Sequence, residues 1–578
     1  MSFDVVASSR IEREKISPWR SVLYTGGQFG LLAVSLALVG ILSMFNQRPI
    51  IVGVMSLGYA TLIAVFMLAG VVVARRRLFG AAAGEVIGGA AAGGIAGAML
   101  TVVAACTWTW PWLRQIFVVL EPLLLKFLTF YNASPVTGMG LMILFSIAMG
   151  ALGALLVVMP RPISRPLVAG LIGAGLAGLF QELIRPILAN SAYTKPLHDQ
   201  IYTYTGLKLQ GAIIIFILCA IGSVLRMAYG KQASQAFHAL PAETQKNIRW
   251  TAFAILGLIA VLFPAFAGNF IGQVLLLVAL FTLMGMGLNI EVGLAGLLDL
   301  GFVAFYAVGA YTTALLTADS DFALAHLAWW EAMPIAVLMS VFVGILFGVP
   351  VLKVRGDYLA VATMGLGEIV RVIVLSDAAA PLLAGAKGIL HIPRPMFFGY
   401  ELNTPVALFY LALTGTAIAA FIAWRLEDSR LGRAWMAIRD DEDVAQALGI
   451  NLINVKLLAY GLGAAFAGLA GSIFATMLGS IYPASFQLII SINVLALIIV
   501  GGMGSLPGVA LGALVLIGLP EMLREFGEFR YLFYGIAIVA VMRLKPEGLW
   551  PSAARRREAR SEQELAAERE AALIAEKA

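Results

Sequence analysis

The stretch RLEDSRLGRAWMAIRDDEDVAQALGINLINVK, Arg425–Lys456, separates two long apolar runs, and nothing else in the second half of the chain is so polar. Its early basic residues, Arg425, Arg430, Arg433 and Arg439, are followed at once by the acidic cluster Asp440–Asp443. Between two membrane-length runs, such a segment reads as a folded loop that offers a surface to the aqueous phase. Leu431, Trp435 and Ile438 recur at i, i+4, i+7, which lays one apolar stripe along a basic helix. Asp441 stands where an N-cap would open a second helix, Val444 and Leu448 share a face of it, and Gly449 falls at its C′ position. The spacing predicts a small amphipathic helical hairpin. Composition alone leaves its role open between a docking element for a partner and a solvated loop laced with charge pairs.

Outward from this loop the chain is overwhelmingly apolar. Of its 578 residues 61% are hydrophobic and 12% charged, against roughly 25% charged in a soluble domain. The apolar residues come in runs of about 18 to 25, each able to cross a ~30 Å hydrocarbon core as a helix. This predicts an all-α polytopic membrane protein. The two cysteines, Cys106 and Cys219, sit in or beside apolar spans and read as small core residues, and the four histidines form no metal motif. No phosphate-binding loop, H-E-x-x-H or nucleophile elbow is present, so any ATP hydrolysis must come from another polypeptide. No cofactor is expected.

Six spans are predicted in the first 230 residues, at about 22–45, 49–74, 81–106, 136–159, 166–188 and 208–228. Basic clusters fall at every second boundary: the N-terminal arm with Arg10, Arg13 and Arg20, then Arg75–Arg77, then Arg161 with Arg165, then Arg226 with Lys231. The positive-inside rule puts these loops and the N-terminus in the cytoplasm. The first span is too long for a signal-peptide core and is read as an anchor. The Trp-rich segment from Trp108 reads as amphipathic and interfacial. Glycine ladders through Gly80–Gly97 and Gly170–Gly178 read as close helix packing. Glu85 and the pair Glu182/Arg185 lie near span ends, and no chemistry is assigned to this block.

The polar residues 231–250 read as a cytoplasmic linker. Beyond it about ten spans are predicted, at 251–268, 271–289, 292–316, 332–353, 358–375, 405–424, 456–479, 488–503, 507–519 and 531–545. The same parity leaves Lys353 with Arg355, the 425–456 loop and Arg543 with Lys545 on the cytoplasmic side. The short spans around GGMGSLPG read as half-helices or a re-entrant pair, and residues 551–578 as a charged cytoplasmic tail. Two polar constellations interrupt the apolar helices. Asn289, Glu291 and Asp299 stand among Gly293, Gly296, Gly301 and Gly309, a composition that can unwind backbone beside a cavity or simply allow close packing. Glu368 and Arg371 stand at i,i+3 inside a span, as a structural ion pair or as partners for a zwitterion.

Four stretches together resemble the M-type permease subunit of branched-chain amino acid (Liv-type) ABC importers. They are GLNIEVGLAGLLDLGFVAFYAVGAY from Gly287, KVRGDYLAVATMGLGEIVR from Lys353, GRAWMAIRDDEDVAQALGIN from Gly432 and IIVGGMGSLPGVALGALV from Ile498, in the family's order. The resemblance covers about residues 251–550 and implies a permease domain of about ten helices. Gly432, Arg433, Ala437, Arg439, Asp440, Ala447 and Gly449 would then belong to the contact with an ATPase subunit. Asn289, Glu291, Asp299, Glu368 and Arg371 become candidates for the translocation path. The resemblance also implies a second permease subunit in a heterodimer, two ATP-binding subunits, a periplasmic substrate-binding protein and a place in the bacterial inner membrane with both termini cytoplasmic. The first 230 residues, with about six extra transmembrane helices, depart from the family pattern. Urea, short amides or other amino acids are alternative cargoes, and an ion-coupled secondary transporter is the rival class.

Overall fold

The computed structural model describes residues 17–110, 112, 115, 122–190, 194–351, 354 and 356–552. The predicted N-terminal arm up to Ile16, part of the Trp-rich segment, Lys353 with Arg355, and the charged tail beyond Ser552 lie outside the described residues. The chain divides into two compact units, residues 1–259 and 260–578. Among the described residues twelve helices are long and apolar enough to cross a membrane, six in each unit, which makes this a multi-pass, all-α membrane protein.

The first unit carries α1 (Pro18–Leu38), α2 (Leu57–Arg75), α3 (Ala82–Thr109), α4 (Pro135–Val158), α5 (Arg161–Leu179) and α6 (Leu209–His238). The glycine ladder of α3 sits against α4 at touching distance: a Cβ at Gly93 would meet the backbone of Ser146 and Gly150, and one at Gly150 would meet Gly89 and Gly93. That is the small-residue packing lipid favours, since helix association there depends on close van der Waals contact. The predicted span 49–74 starts later, at Leu57. Pro49–Ser56 instead forms a hairpin of β1 (Pro49–Ile51) and β2 (Met55–Ser56), turned at Gly53 with φ +73°. β1 also pairs with β4 (Gly206–Leu207), itself paired with β3 (Tyr202–Thr203), in a four-stranded patch between spans.

α7 (Ala242–Ala267) runs from the first unit into the second, which holds α8 (Asn269–Leu288), α9 (Val303–Thr317), α10 (Trp329–Val351), α11 (Asp357–Leu375) and α12 (Pro405–Glu427). The loop helices α13 (Arg430–Asp440) and α14 (Glu442–Ala447) follow, then α15 (Leu452–Leu478), α16 (Leu488–Gly501), α17 (Leu506–Ala513) and α18 (Phe529–Leu544). α15 is the central mast, packed on α8, α9 and α10. The predicted span 292–316 is replaced by a π-helical turn, Asn289–Leu294, a non-helical stretch and the shorter α9. Glycine and polar side chains in this stretch remove the packing that would keep one long helix regular. α16 and α17 meet in a tight bend, where Gly502 and Gly504 take φ of +121° and +75° and a Cβ at Gly501 would strike the carbonyl of Gly508.

Candidate functional site

The polar loop folds as the hairpin its spacing implies. Ser429 caps α13 by accepting from the N–H groups of Leu431 (3.1 Å) and Gly432 (3.2 Å). Asp441 caps α14 by accepting from Asp443 (2.9 Å) and Val444 (3.0 Å). Gly449 ends the hairpin at φ +87°, a left-handed conformation that glycine adopts without steric cost.

The two apolar faces of the hairpin point in different directions. Trp435 and Ile438 of α13 are buried, and the Trp435 indole N–H donates to the carbonyl of Val455 at 2.8 Å. Lys456, also buried, holds Glu442 of α14 by an ion pair at 2.6 Å. The α13 stripe therefore glues the hairpin to α15 of its own chain. Val444 (55% exposed) and Leu448 (76%) remain uncovered on α14, beside the exposed Ala447 and Gly449. Arg433 and Asp440 are exposed, Ala437 is partly buried, and Gly432 is buried where a Cβ would strike the carbonyls of Leu426 and Glu427. Trp435→Ala should cost about 3–5 kcal/mol of local stability by cavity formation and loss of the indole bond. Limited proteolysis within 425–456 should accelerate accordingly while the spans stay protected.

Arg439 reaches from the hairpin into the polar constellation. Its Nη1 donates to the carbonyl of Gly293 at 2.8 Å, inside the π-helical turn. Gly296, at φ +72°, lies so close that its Cβ would come within 2.7 Å of the Arg439 Cγ. Four residues before Gly293, Asn289 accepts from the N–H of Gly504 at 2.8 Å, across 215 positions of sequence. One turn of irregular helix is thus tied on one side to the hairpin and on the other to the α16–α17 bend. π-turns place side chains that a regular helix cannot and are common at functional positions.

Around this turn the polar side chains converge. Asn289, Glu291 and Asp299 are all buried. Asp299 accepts from the N–H of Gly301 at 2.6 Å, and Thr363 of α11 accepts from Leu300 at 3.0 Å. Ser491 of α16 accepts from Val303 at 2.9 Å and anchors the start of α9. Sequence reasoning passed over Thr363, Ser491 and Tyr460 of α15, polar groups set among apolar neighbours. Their one signal is position: Thr363 falls in a quoted motif, and Tyr460 is flanked by Gly461 and Gly463. Glu368 and Arg371 do bond to one another, but on the exposed side of α11 and outside this cluster.

Comparison with known proteins agrees with this geometry. Residues 270–542 match the family described as branched-chain amino acid transport system / permease component. The high-affinity branched-chain amino acid transport system permease protein LivM of Escherichia coli (strain K12) is 36% identical over 368 residues, covering 59% of this chain and 84% of LivM. The probable branched-chain amino acid transport permease protein LivM of Methanocaldococcus jannaschii is 22% identical over 327 residues, covering 49% of this chain and 94% of its own length. LivH of E. coli K12, a permease of the same description, is 23% identical over 286 residues, covering 46% of this chain and 90% of LivH. No solved structure matches. The matched region contains the π-turn, the hairpin and the bend together, and the chain belongs to the family of branched-chain amino acid transport system permease components.

Proposed function

We propose that this chain is the M-type permease subunit of an ATP-driven importer in a bacterial inner membrane, and that its cargo is branched-chain amino acids. The observation that carries the coupling mechanism is the Arg439–Gly293 hydrogen bond, which joins an exposed docking hairpin to a broken helix in the packed core. ATP hydrolysis belongs to two separate nucleotide-binding subunits. They seat the Val444/Leu448 face in a groove and drag the hairpin when they close, with Gly432, Arg433, Ala437, Asp440, Ala447 and Gly449 shaping the contact. Arg439 passes that displacement to the π-turn, and Asn289 passes it to the α16–α17 bend. Asn289, Glu291 and Asp299 border the path that opens, and the outward pair Glu368/Arg371 lies beside a second, related permease subunit. A periplasmic binding protein delivers the substrate and does most of the selecting.

The match over 270–542 supports placing the transport step in residues 251–550. Residues 1–230 form an added membrane block, 231–250 a linker and 551–578 a tail, with both termini cytoplasmic.

The test is reconstitution of the whole complex in proteoliposomes with labelled leucine and a binding protein. Accumulation should require ATP, and urea or short amides should compete poorly. Transport by this subunit alone, in an ion gradient without ATP, would overturn the assignment. Gly449→Val supplies a further check, because a β-branched residue at φ +87° is strained. The strain should cost about 1–3 kcal/mol, displace Leu448 and weaken retention of the ATPase subunits in a pull-down.

A further inference from the structure

Among the described residues, the buried carboxylates beside the π-turn have no counter-charge. By distance and angle no donor or acceptor meets either oxygen of Glu291, the Oδ2 of Asp299 or the hydroxyl of Tyr460, although the two carboxyl groups approach one another and Thr363 lies beside Asp299. Glu291, Asp299 and Tyr460 are all at least 98% buried. They are also one cluster: Glu291 and Asp299 lie within mutual interaction reach, and the Tyr460 hydroxyl lies in the field of both.

The surroundings are built to hold this arrangement. Gly463 of α15 leaves the space that the Glu291 carboxylate fills, since a Cβ there would collide with it. A small cavity of about 10 Å³, room for one water-sized particle, is bordered by Asp299, Thr363 and Tyr460, with Phe305 and Phe347 as its apolar wall.

On the elements packed around the cluster, three described cations are committed elsewhere. On α13, the Arg439 guanidinium bonds the Gly293 carbonyl and lies 3.6 Å from Asp440. On α15, Lys456 pairs with Glu442. On α11, Arg371 pairs with Glu368 on the exposed side. Two carboxylates withdrawn from water without compensation are far costlier than one missing hydrogen bond, and a tyrosine can donate only one. Nothing among the described residues supplies that compensation, which points to a charge bound from outside the chain.

We propose that Glu291, Asp299 and Tyr460 form a buried site for one monovalent positive charge, either a proton shared by the carboxylates or an alkali cation held by their oxygens. Four free oxygen atoms fall short of the six to eight that calcium gathers. Among the described residues no cluster of three or more His, Cys, Asp or Glu side chains is assembled that would suit a transition metal. The bound charge offsets one of the two carboxylates in the segment that Arg439 grips, so it braces the π-turn that the hairpin pulls on. The inference does not depend on the cargo, and its test needs no transport.

The test is the thermal unfolding midpoint of the whole purified complex in nanodiscs, at constant ionic strength. Sodium, potassium and choline chlorides are compared at acidic, neutral and alkaline pH. The wild-type midpoint should rise by about 2 °C or more. A rise with sodium or potassium over choline identifies a cation, and a rise on acidification in all three salts identifies a proton. Glu291→Gln and Asp299→Asn should abolish that response and, in choline at alkaline pH, unfold no earlier than wild type. Tyr460→Phe keeps both carboxylates and should weaken the response. A wild-type complex indifferent to cation and pH would overturn the site, as would carboxamide variants that respond like wild type or an undiminished response in Tyr460→Phe.

Discussion

Arg439→Ala is expected to leave the hairpin folded and ATP hydrolysis running, while substrate moved per ATP falls by about tenfold or more. The hairpin survives because its own structure rests on other groups: the Ser429 and Asp441 caps, the Trp435 indole on Val455 and the Lys456–Glu442 pair. What Arg439 adds is a charged hydrogen bond to the Gly293 carbonyl and the packing of its stem against Gly296. A hydrogen bond from a charged donor contributes roughly 1.5–3 kcal/mol, and a coupling free energy of that size corresponds to about 10–150-fold between linked sites. Without it the ATPase subunits would still move the hairpin, but the π-turn would no longer follow. Arg439→Lys should fall between, because a single ammonium can donate to the carbonyl but lacks the rigid planar fork that presents the guanidinium N–H there. The deciding measurement is the ratio of leucine uptake to ATP hydrolysed in the same proteoliposomes. A ratio equal to wild type would show that displacement reaches the core by another route.

The parts of this arrangement that the sequence made legible are those with local causes. Ser429, Asp441 and Gly449 act within a few residues of themselves, so caps and a C′ glycine mark the hairpin directly. Apolar length alone located most of the spans, because a bilayer demands helices of a narrow length range, but it drew 292–316 as one helix where a π-turn and the shorter α9 stand. What stayed hidden depends on which neighbour each face meets. The Leu431/Trp435/Ile438 stripe has the periodicity of a docking face, yet it is spent on α15, and the smaller Val444/Leu448 pair is the one left open. Glu368 and Arg371 at i,i+3 had to share a face, but that spacing does not say which face is buried, and it is the exposed one. Asn289, Glu291 and Asp299 stood out as polar residues in an apolar run. Their convergence with Thr363 and Tyr460, and the bond from Gly504 to Asn289, are tertiary events between segments far apart in sequence. The π-turn was equally invisible: no residue pattern distinguishes a helix that widens for one turn from one that simply stops.

Leu448→Glu should remove the ATPase subunits from the complex more completely than any other single change in the loop. Leu448 is 76% exposed at the end of α14, next to Val444 on the same face, while Trp435 and Ile438 are already buried against their own chain. A side chain this size contributes roughly 1.5–3 kcal/mol when it leaves water. A carboxylate in its place would also have to be desolvated in an apolar groove, and the loss together corresponds to on the order of 100-fold or more in affinity. The folded hairpin should be unaffected, since the replacement is on the solvent side of α14 and helix-compatible. Copurification of the ATPase subunits would therefore be lost while protease protection of 425–456 is kept, a pattern opposite to that of Trp435→Ala, which loosens the hairpin itself. Leu448→Met, which preserves apolar volume, should restore copurification. If Leu448→Glu retains its ATPase partners as wild type does, then the open face of α14 is not the docking surface, and the exposed basic side of α13 around Arg433 becomes the remaining one.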